Sequence, residues 1–221
     1  MRTLTYVILW VDTKRGVTCL ETGATPRKRT MSQHYLEQAL VRLLLEKPYE
    51  AITVKALVER AGVSRTGFYN QFGSMHAFVA NMVEAYNEGA YNAAAFDRMD
   101  RPFGAGDIPA YYTRFFTYIA EHADLYRVML SDNGIPAFRI RMRAVARWVW
   151  MNHILLPRLP DLPSPEELLK AQLISRYVAS AHIGLCLFYL DGNIGLSPEF
   201  MAEQVNKITW PAVMAYMGFN G

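Results

Sequence analysis

Apolar residues recur with the period of an α-helix along nearly all of the chain after residue 30. Between residues 35 and 44 they occupy positions i, i+3, i+4 and i+7, which is typical of an amphipathic helix. Thr30 or Ser32 can cap this helix, and Pro48 ends it because the residue before a proline disfavours helical backbone. No convincing alternating pattern occurs beyond a stretch near the N-terminus, so the sequence predicts an all-α fold.

Two short helices joined by a tight turn are predicted next. Thr53 and Ser64 are N-cap residues, since their hydroxyls can accept hydrogen bonds from the first free amides of a helix. Gly62 lies between them and is typical of a helix end in the left-handed conformation. The first of these helices is therefore expected over residues 54–61 and the second over residues 65–71.

Longer helices follow, each ended by glycine, proline or a cluster of turn residues. The stretch 97–107 is a loop by composition, because it gathers glycine, proline and charged residues. The long helices are expected over about residues 75–96, 108–130, 137–156, 166–190 and 197–217.

Residues 1–26 are interpreted as a poorly defined N-terminal extension. Their apolar stretch at 6–11 is shorter than the ~18–20 residues that span a bilayer, and charged residues follow it at once. A non-native or misassigned start explains it better than a signal peptide, because no proper cleavage site follows. No apolar run elsewhere reaches spanning length, so we expect a cytoplasmic protein with no membrane partner, in which Cys19 and Cys186 are free thiols.

Composition and charge narrow the class of protein. The chain is globular rather than disordered, because 52% of its residues are hydrophobic and 19% are charged. Its formal net charge is +3, but residues 26–75 contain eight Lys/Arg and four Glu residues and so carry a positive surplus. This asymmetry is typical of a small nucleic-acid-binding head on a neutral body, although an ordinary solvated surface gives the same counts.

The segment 52–72 has the physical features of a helix-turn-helix. Leu57 and Val58 give the first helix an apolar inner face, and the turn at Gly62 has no side chain to hold the two helices apart. Val63 and Phe68 fill the angle between the helices. Such a unit leaves the N-terminal residues of its second helix facing outward, where they can enter a major groove of DNA.

With these features the sequence resembles the TetR family of transcription regulators. The resemblance consists of an amphipathic helix after a basic arm, Thr53-Val54 through Ala61-Gly62-Val63-Ser64, the run Phe68-Tyr69 to Phe72, and Ser74 capping a long helix. It covers about residues 27–83 strongly and the rest more loosely, with segments 118–126 and 192–199 similar to one subgroup of C-terminal domains. It implies a DNA-binding domain over 27–74 and a helical regulatory and dimerisation domain over 75–221.

The resemblance also implies which residues meet DNA. Arg65 can pair with a guanine edge, and Tyr69 matches a family tyrosine whose hydroxyl contacts a phosphate. Asn70 and Gln71 are neutral where the family often has a basic residue or a histidine, and Met75 stands where a lysine is common. The candidate DNA-binding residues are Thr53, Lys55, Ser64, Arg65, Thr66, Tyr69, Asn70 and Gln71, with Arg27, Lys28 and Arg29 as a basic arm.

For the C-terminal part the resemblance implies homodimerisation and a small apolar or aromatic effector. Apolar and aromatic residues at helical spacing are equally typical of an internal core, so this alternative stays open for every candidate. The candidate dimer-interface residues are Leu173, Leu187, Phe188, Ile208 and Val213. The candidate ligand-pocket residues are Tyr112, Phe116, Tyr126, Met129, Phe138, Trp148, Tyr177 and His182.

Enzyme chemistry is not expected from this sequence. It contains no nucleophile elbow and no phosphate-binding glycine loop. His122, His153 and His182 lack the spacing of metal ligands, so we expect no catalytic residue, metal or cofactor. The sequence predicts a regulator, as a repressor rather than an activator, that binds a palindromic operator as a homodimer and is released by an effector. The alternative is a TetR-like interaction module without specific DNA binding.

Overall fold

The computed structural model describes residues 30–94, 104, 106–191 and 195–219. Within these ranges the chain forms nine α-helices and no strand, as the sequence predicts. The helices are α1 (Met31–Glu46), α2 (Val54–Ala61), α3 (Arg65–Phe72), α4 (Met75–Ala94), α5 (Ile108–Glu121), α6 (Ala123–Leu130), α7 (Pro136–Val149), α8 (Pro165–Leu190) and α9 (Pro198–Met217).

Two predicted helices differ from the structure. The span 108–130 is not one helix, because it breaks at His122 into α5 and α6. The His122 ring nitrogen Nδ1 lies 2.8 Å from the Tyr118 carbonyl oxygen, and its ring packs edge-on against Tyr86. The span 137–156 is α-helical only to Val149 and continues as a π-helical turn over Trp150–Leu155, before a short 3-10 turn over Leu156–Arg158.

The first three helices pack around an apolar centre. Leu36, Leu40 and Leu44 of α1 are fully buried at the spacing of one helix face. Phe68 is the buried residue of α3, and its ring lies 5.8 Å from the ring of Phe78 on α4. Because these side chains share one core, the positions of α1 and α4 fix that of the much shorter α3.

The longer helices form the rest of the core. α9 lies along α5, α8 lies along α7, and α4 contacts both α5 and α7. The described residues from Met31 onward form one compact unit, in which buried residues from Leu36 to Met214 belong to one hydrophobic core. The predicted boundary after residue 74 falls at the turn between α3 and α4, and stays a prediction.

α8 changes one expectation from the sequence. Within the described residues, this helix is long and apolar enough to cross a membrane by length and composition, so the expectation that no run reaches spanning length was wrong. The helix contacts α6, α7 and α9, and its residues Ala171, Val178 and Cys186 are buried in the protein core. These contacts are those of a core helix in a folded domain, which passes the same test.

Candidate DNA-binding site and effector cavity

Backbone capping sets the geometry of the helix-turn-helix. The Thr53 hydroxyl oxygen accepts a hydrogen bond from the Ala56 amide at 3.2 Å, and the Ser64 hydroxyl oxygen accepts one from the Gly67 amide at 3.0 Å. Gly62 ends α2 with a φ of 67°, in the left-handed region that favours glycine. These caps begin and end α2 where the sequence predicts, and they direct the start of α3 away from α2.

α3 presents its polar side chains to solvent. Its inner face contributes Phe68 to the core, and the remaining polar residues point outward. The exposed residues include all of the candidate DNA contacts that the structure describes: Thr53, Lys55, Ser64, Arg65, Thr66, Tyr69, Asn70 and Gln71. Arg27, Lys28 and Arg29 lie outside the described residues. Whether each exposed residue contacts DNA stays a prediction.

Arg65 and Tyr69 lie one turn apart on this exposed side of α3. The guanidinium carbon of Arg65 is 5.7 Å from the centroid of the Tyr69 ring, which is a cation–π distance. The contact restricts a long side chain that is otherwise free to move in solvent. A cationic group and a phenol hydroxyl are thereby held near the start of α3, where a major groove would be met.

Several charges in this region are already paired inside the protein. Arg60 donates to both carboxylate oxygens of Glu46, at 2.7 and 3.0 Å, and thereby joins α2 to the end of α1. This hydrogen bonding lowers the pKa of Glu46. Lys55 lies 3.9 Å from Glu59, one turn along α2. Arg60 and Lys55 both contribute to the positive surplus of residues 26–75. Because each has a carboxylate partner within the protein, the positive field that DNA would meet is weaker than the residue counts suggest.

α4 connects the helix-turn-helix to the body of the protein. Its N-terminal residue Met75, which stands where the family often has lysine, packs against the core. In its middle, the Tyr86 hydroxyl donates to the buried carboxylate of Glu37 on α1 at 3.1 Å. Glu84 forms an ion pair with Arg141 of α7 at 2.8 Å. α4 therefore contacts both regions through specific polar groups.

A cavity of about 40 Å³ lies where α4, α5, α7 and α8 meet, and we call it the central cavity. Its walls are mainly aromatic and aliphatic, with an amide and an imidazole among them. The residues that line the central cavity include Asn87, Tyr91, Tyr112, Met142, His182 and Ile183. Since Asn87 and Tyr91 belong to α4, one wall of the cavity is the helix that carries the helix-turn-helix.

His182 is the basic group of this cavity. Its ring nitrogens Nδ1 and Nε2 lie 3.2 and 2.9 Å from the hydroxyl oxygen of Tyr112. Burial lowers the pKa of His182 to about 3, because the charged imidazolium would lose its hydration. Burial also raises the pKa of Tyr112, despite the hydrogen bond donated by the Trp150 side chain. Both groups are therefore uncharged at neutral pH.

The central cavity contains two of the eight residues predicted to form a ligand pocket. Of the eight candidates, Tyr112 and His182 line it. Tyr177 is 68% exposed on the outer side of α8, so it is no pocket residue. Trp148 is partly buried beside Tyr91 and His153 and does not line the cavity. The other four candidates are packed side chains of the closed core: Phe116, Tyr126, Met129 and Phe138.

Exposed apolar residues lie on both α8 and α9, and together we call them the α8/α9 face. On α8 its residues follow one side of the helix. Of the five candidate dimer residues, Val213 is only 1% exposed and belongs to the monomer core, so its placement at an interface was wrong. The exposed apolar residues of the face are Leu173, Tyr177, Leu187, Phe188, Phe200, Ile208 and Tyr216.

A helix-turn-helix with an exposed polar helix, joined by one long helix to an all-helical body, defines a DNA-binding regulator. The family model "Bacterial regulatory proteins, tetR family" matches residues 38–82. A second model, a transcriptional regulator C-terminal region of TetR type, matches residues 107–209. The chain belongs to the TetR family of transcriptional regulators.

Individual relatives are distant. The HTH-type transcriptional regulator YxbF of Bacillus subtilis (strain 168) is 23% identical over 172 residues, which are 77% of this chain and 42% of that protein. The chain thus spans less than half the length of this curated relative. A TetR-like regulator from Rhodococcus sp. RHA1 superposes with a TM-score of 0.58 at 13% identity, covering 85% of this chain and 98% of its own.

The dihydroxyacetone kinase operon activator DhaS gives a TM-score of 0.54 at 17% identity. The match covers 84% of this chain and 97% of that chain. At these identities the solved structures establish a shared fold.

Proposed function

We propose that the protein is a cytoplasmic transcriptional repressor that binds a palindromic operator as a homodimer and leaves it when a small effector binds. The observation that carries the proposal is the exposed side of α3, where Arg65 lies over Tyr69 while Phe68 anchors the opposite side in the core. This arrangement leaves a short helix, anchored in the core, whose exposed polar side chains can meet base edges and phosphates.

Dimerisation is supported by the α8/α9 face. A single short recognition helix meets few base pairs, so helix-turn-helix proteins gain specificity by pairing two of them. On α8 the exposed residues Leu173, Tyr177, Ser180, Gly184 and Phe188 follow one side of the helix. A side chain built at Gly184 would meet no atom within 4 Å in the monomer, which leaves room for a partner helix to approach.

Release by an effector is supported by the position of α4. The helix has 20 residues, which corresponds to roughly 30 Å, and it joins the end of α3 to the wall of the central cavity. A ligand that separates α4 from α7 would turn α4 about its contact with α1. The same turn would change the distance between the two α3 helices of a dimer, and with it operator affinity.

Repression is favoured over activation because occlusion of a promoter requires only tight binding of the dimer. DhaS, a protein of the same fold, is named as an operon activator, so activation is the competing mode. A reporter gene placed behind the recovered operator distinguishes the two modes. Expression falls on production of a repressor and rises on production of an activator.

Selection from a random pool of duplex DNA tests the proposal. The purified full chain and a Tyr69→Ala variant are taken through the same selection, with circular dichroism to establish that both are folded. Recovery of a palindrome by the wild type and not by the variant supports the proposed function. No enrichment by a folded wild-type dimer contradicts it and favours the protein-interaction alternative.

A further inference from the structure

Asn87 brings an unusual polar group to the central cavity. Its side chain is 3% exposed, and its amide nitrogen donates to the Val83 carbonyl at 2.8 Å. Within the described part of the chain, no group donates a hydrogen bond to its amide oxygen, yet this atom is not among the polar atoms sealed from solvent. Because Asn87 lines the cavity, this oxygen is available to a hydrogen-bond donor that enters it.

His182 offers the complementary group. A neutral imidazole has one N–H and one lone pair, which point in different directions. The single Tyr112 oxygen lies within 3.2 Å of both ring nitrogens and also receives a hydrogen bond from Trp150. One hydroxyl cannot align with both nitrogens, since hydrogen bonds weaken steeply when they are bent. At least one of the two ring nitrogens is therefore poorly aligned with this hydroxyl.

Charge and size restrict what can bind. The described residues that line the cavity include no Asp, Glu, Lys or Arg, so a charged ligand would lose its hydration without gaining a counter-charge. The volume of about 40 Å³ holds only a few water molecules. A ligand of aromatic size enters only when the walls separate, and it therefore favours a state in which α4 and α7 have moved apart.

We propose that the central cavity recognises an uncharged aromatic molecule with a single hydroxyl group, which donates to the Asn87 amide oxygen and accepts a hydrogen bond from the His182 imidazole. The aromatic ring of the ligand packs among Tyr91, Met142 and Ile183. This inference rests on the proposed function for its role as effector recognition, whereas the binding chemistry rests on the cavity. Asn87 and His182 are then the residues that determine ligand specificity.

Isothermal titration calorimetry of the full chain, with three small aromatic probes that differ in one substituent, tests this inference. The probes are p-cresol, p-xylene, in which a methyl group replaces the hydroxyl, and p-toluate, in which a carboxylate replaces it. We expect p-cresol to bind the wild type about 25-fold more tightly than p-xylene, since each of the two hydrogen bonds of its hydroxyl is worth about fivefold. We expect p-toluate to bind more weakly than either.

Two variants test whether Asn87 and His182 cause the preference for p-cresol over p-xylene. His182→Leu and Asn87→Leu each remove one of these hydrogen bonds, so each is expected to lower the preference for p-cresol to about fivefold. Binding of p-xylene by the variants shows that the cavity still exists. The control is His34→Leu, which makes the same substitution at an exposed position of α1 and should keep the preference. Thermal melting of all variants establishes that they are folded.

Four results would overturn the inference: equal binding of p-cresol and p-xylene by the wild type, tighter binding of p-toluate, persistence of the full preference in both leucine variants, or no binding of any probe. Operator binding is measured separately on ligand-free protein. A preserved hydroxyl preference without any selected operator would contradict the proposed function alone. A selected operator without the hydroxyl preference would contradict the inference alone.

Discussion

The guanidinium carbon of Arg65 lies 5.7 Å from the centroid of the Tyr69 ring, and both side chains are exposed on the same side of α3. Truncating either one should leave folding intact, because exposed substitutions away from caps usually change stability by less than about 0.5 kcal/mol. We expect Arg65→Ala to weaken operator binding by about 10–100-fold. We expect Tyr69→Phe, which removes only the hydroxyl, to weaken it by about five- to tenfold.

Fluorescence anisotropy with the selected operator checks both values, and thermal melting provides the stability control. Asn92→Ala, at an exposed position of α4 far along the chain from α3, is a control that should bind like the wild type. Full operator affinity in folded Arg65→Ala would exclude Arg65 from the DNA contact.

The Tyr86 hydroxyl donates to the Glu37 carboxylate at 3.1 Å, where Glu37 is 1% exposed. Removing this donor in Tyr86→Phe leaves a buried carboxylate with fewer hydrogen bonds. We expect the free energy of unfolding to fall by about 1–3 kcal/mol, measured by urea denaturation. Tyr35→Phe, at an exposed position of α1, is the matched control and should have little effect. Equal stability of both variants would show that this contact does not hold α1 to α4.

The dimer is expected to depend on the α8/α9 face. Tyr177 is 68% exposed in the monomer, so Tyr177→Glu should fold normally. An unpaired carboxylate buried at an interface is costly, and we expect light scattering to show a monomer with much weaker operator binding. Ile140→Glu places the same charge at a 60% exposed position on α7 and should remain dimeric. A dimeric Tyr177→Glu would place the interface elsewhere.

His182 should make the protein sensitive to acid. Its pKa is about 3 in the folded protein, against an ordinary value of 6.5. The nearby Tyr112 and Cys186 remain uncharged, since burial raises both pKa values, that of Cys186 to about 12. Below pH 6.5 the unfolded chain binds a proton that the folded protein excludes. Stability is therefore lost as pH falls, by up to about 1.4 kcal/mol per pH unit from this group.

Urea denaturation between pH 7 and pH 4 measures this effect as a difference between the wild type and His182→Leu. The variant lacks the titrating group, so its stability should decline less steeply, whatever its absolute value. His34→Leu, at an exposed position, should follow the slope of the wild type. Parallel slopes for wild type and His182→Leu would mean that His182 is protonated normally in the folded protein.

Local sequence signals were sufficient for the helix-turn-helix. Thr53, Gly62 and Ser64 each have a backbone role that depends on near neighbours, and the structure has α2 over the predicted residues. The break at His122 could not be predicted in the same way, because no proline or glycine marks it. It accompanies contacts with Tyr86 and Tyr118, and Tyr86 lies 36 residues earlier in the chain.

The candidate ligand pocket likewise could not be predicted from local sequence signals alone. Phe138 and Tyr112 both lie at apolar helix positions, yet one is closed core and the other lines the central cavity. Periodicity shows which side of a helix is buried, but not whether a gap remains between the helices packed there. Asn87 was missed because a single amide on an apolar helix face carries no motif. Val213 and Ile208 were likewise placed together, although the structure buries the first and exposes the second.

Binding to a full operator and to a half-operator tests the central claim most directly. One duplex carries the selected palindrome, and the other has one half-site scrambled at the same length and composition. The account predicts two protomers on the palindrome and an affinity at least about 100-fold higher than for the half-site duplex, since several base contacts are lost together. Equal affinity for the two duplexes would contradict a dimer that binds DNA through two α3 helices.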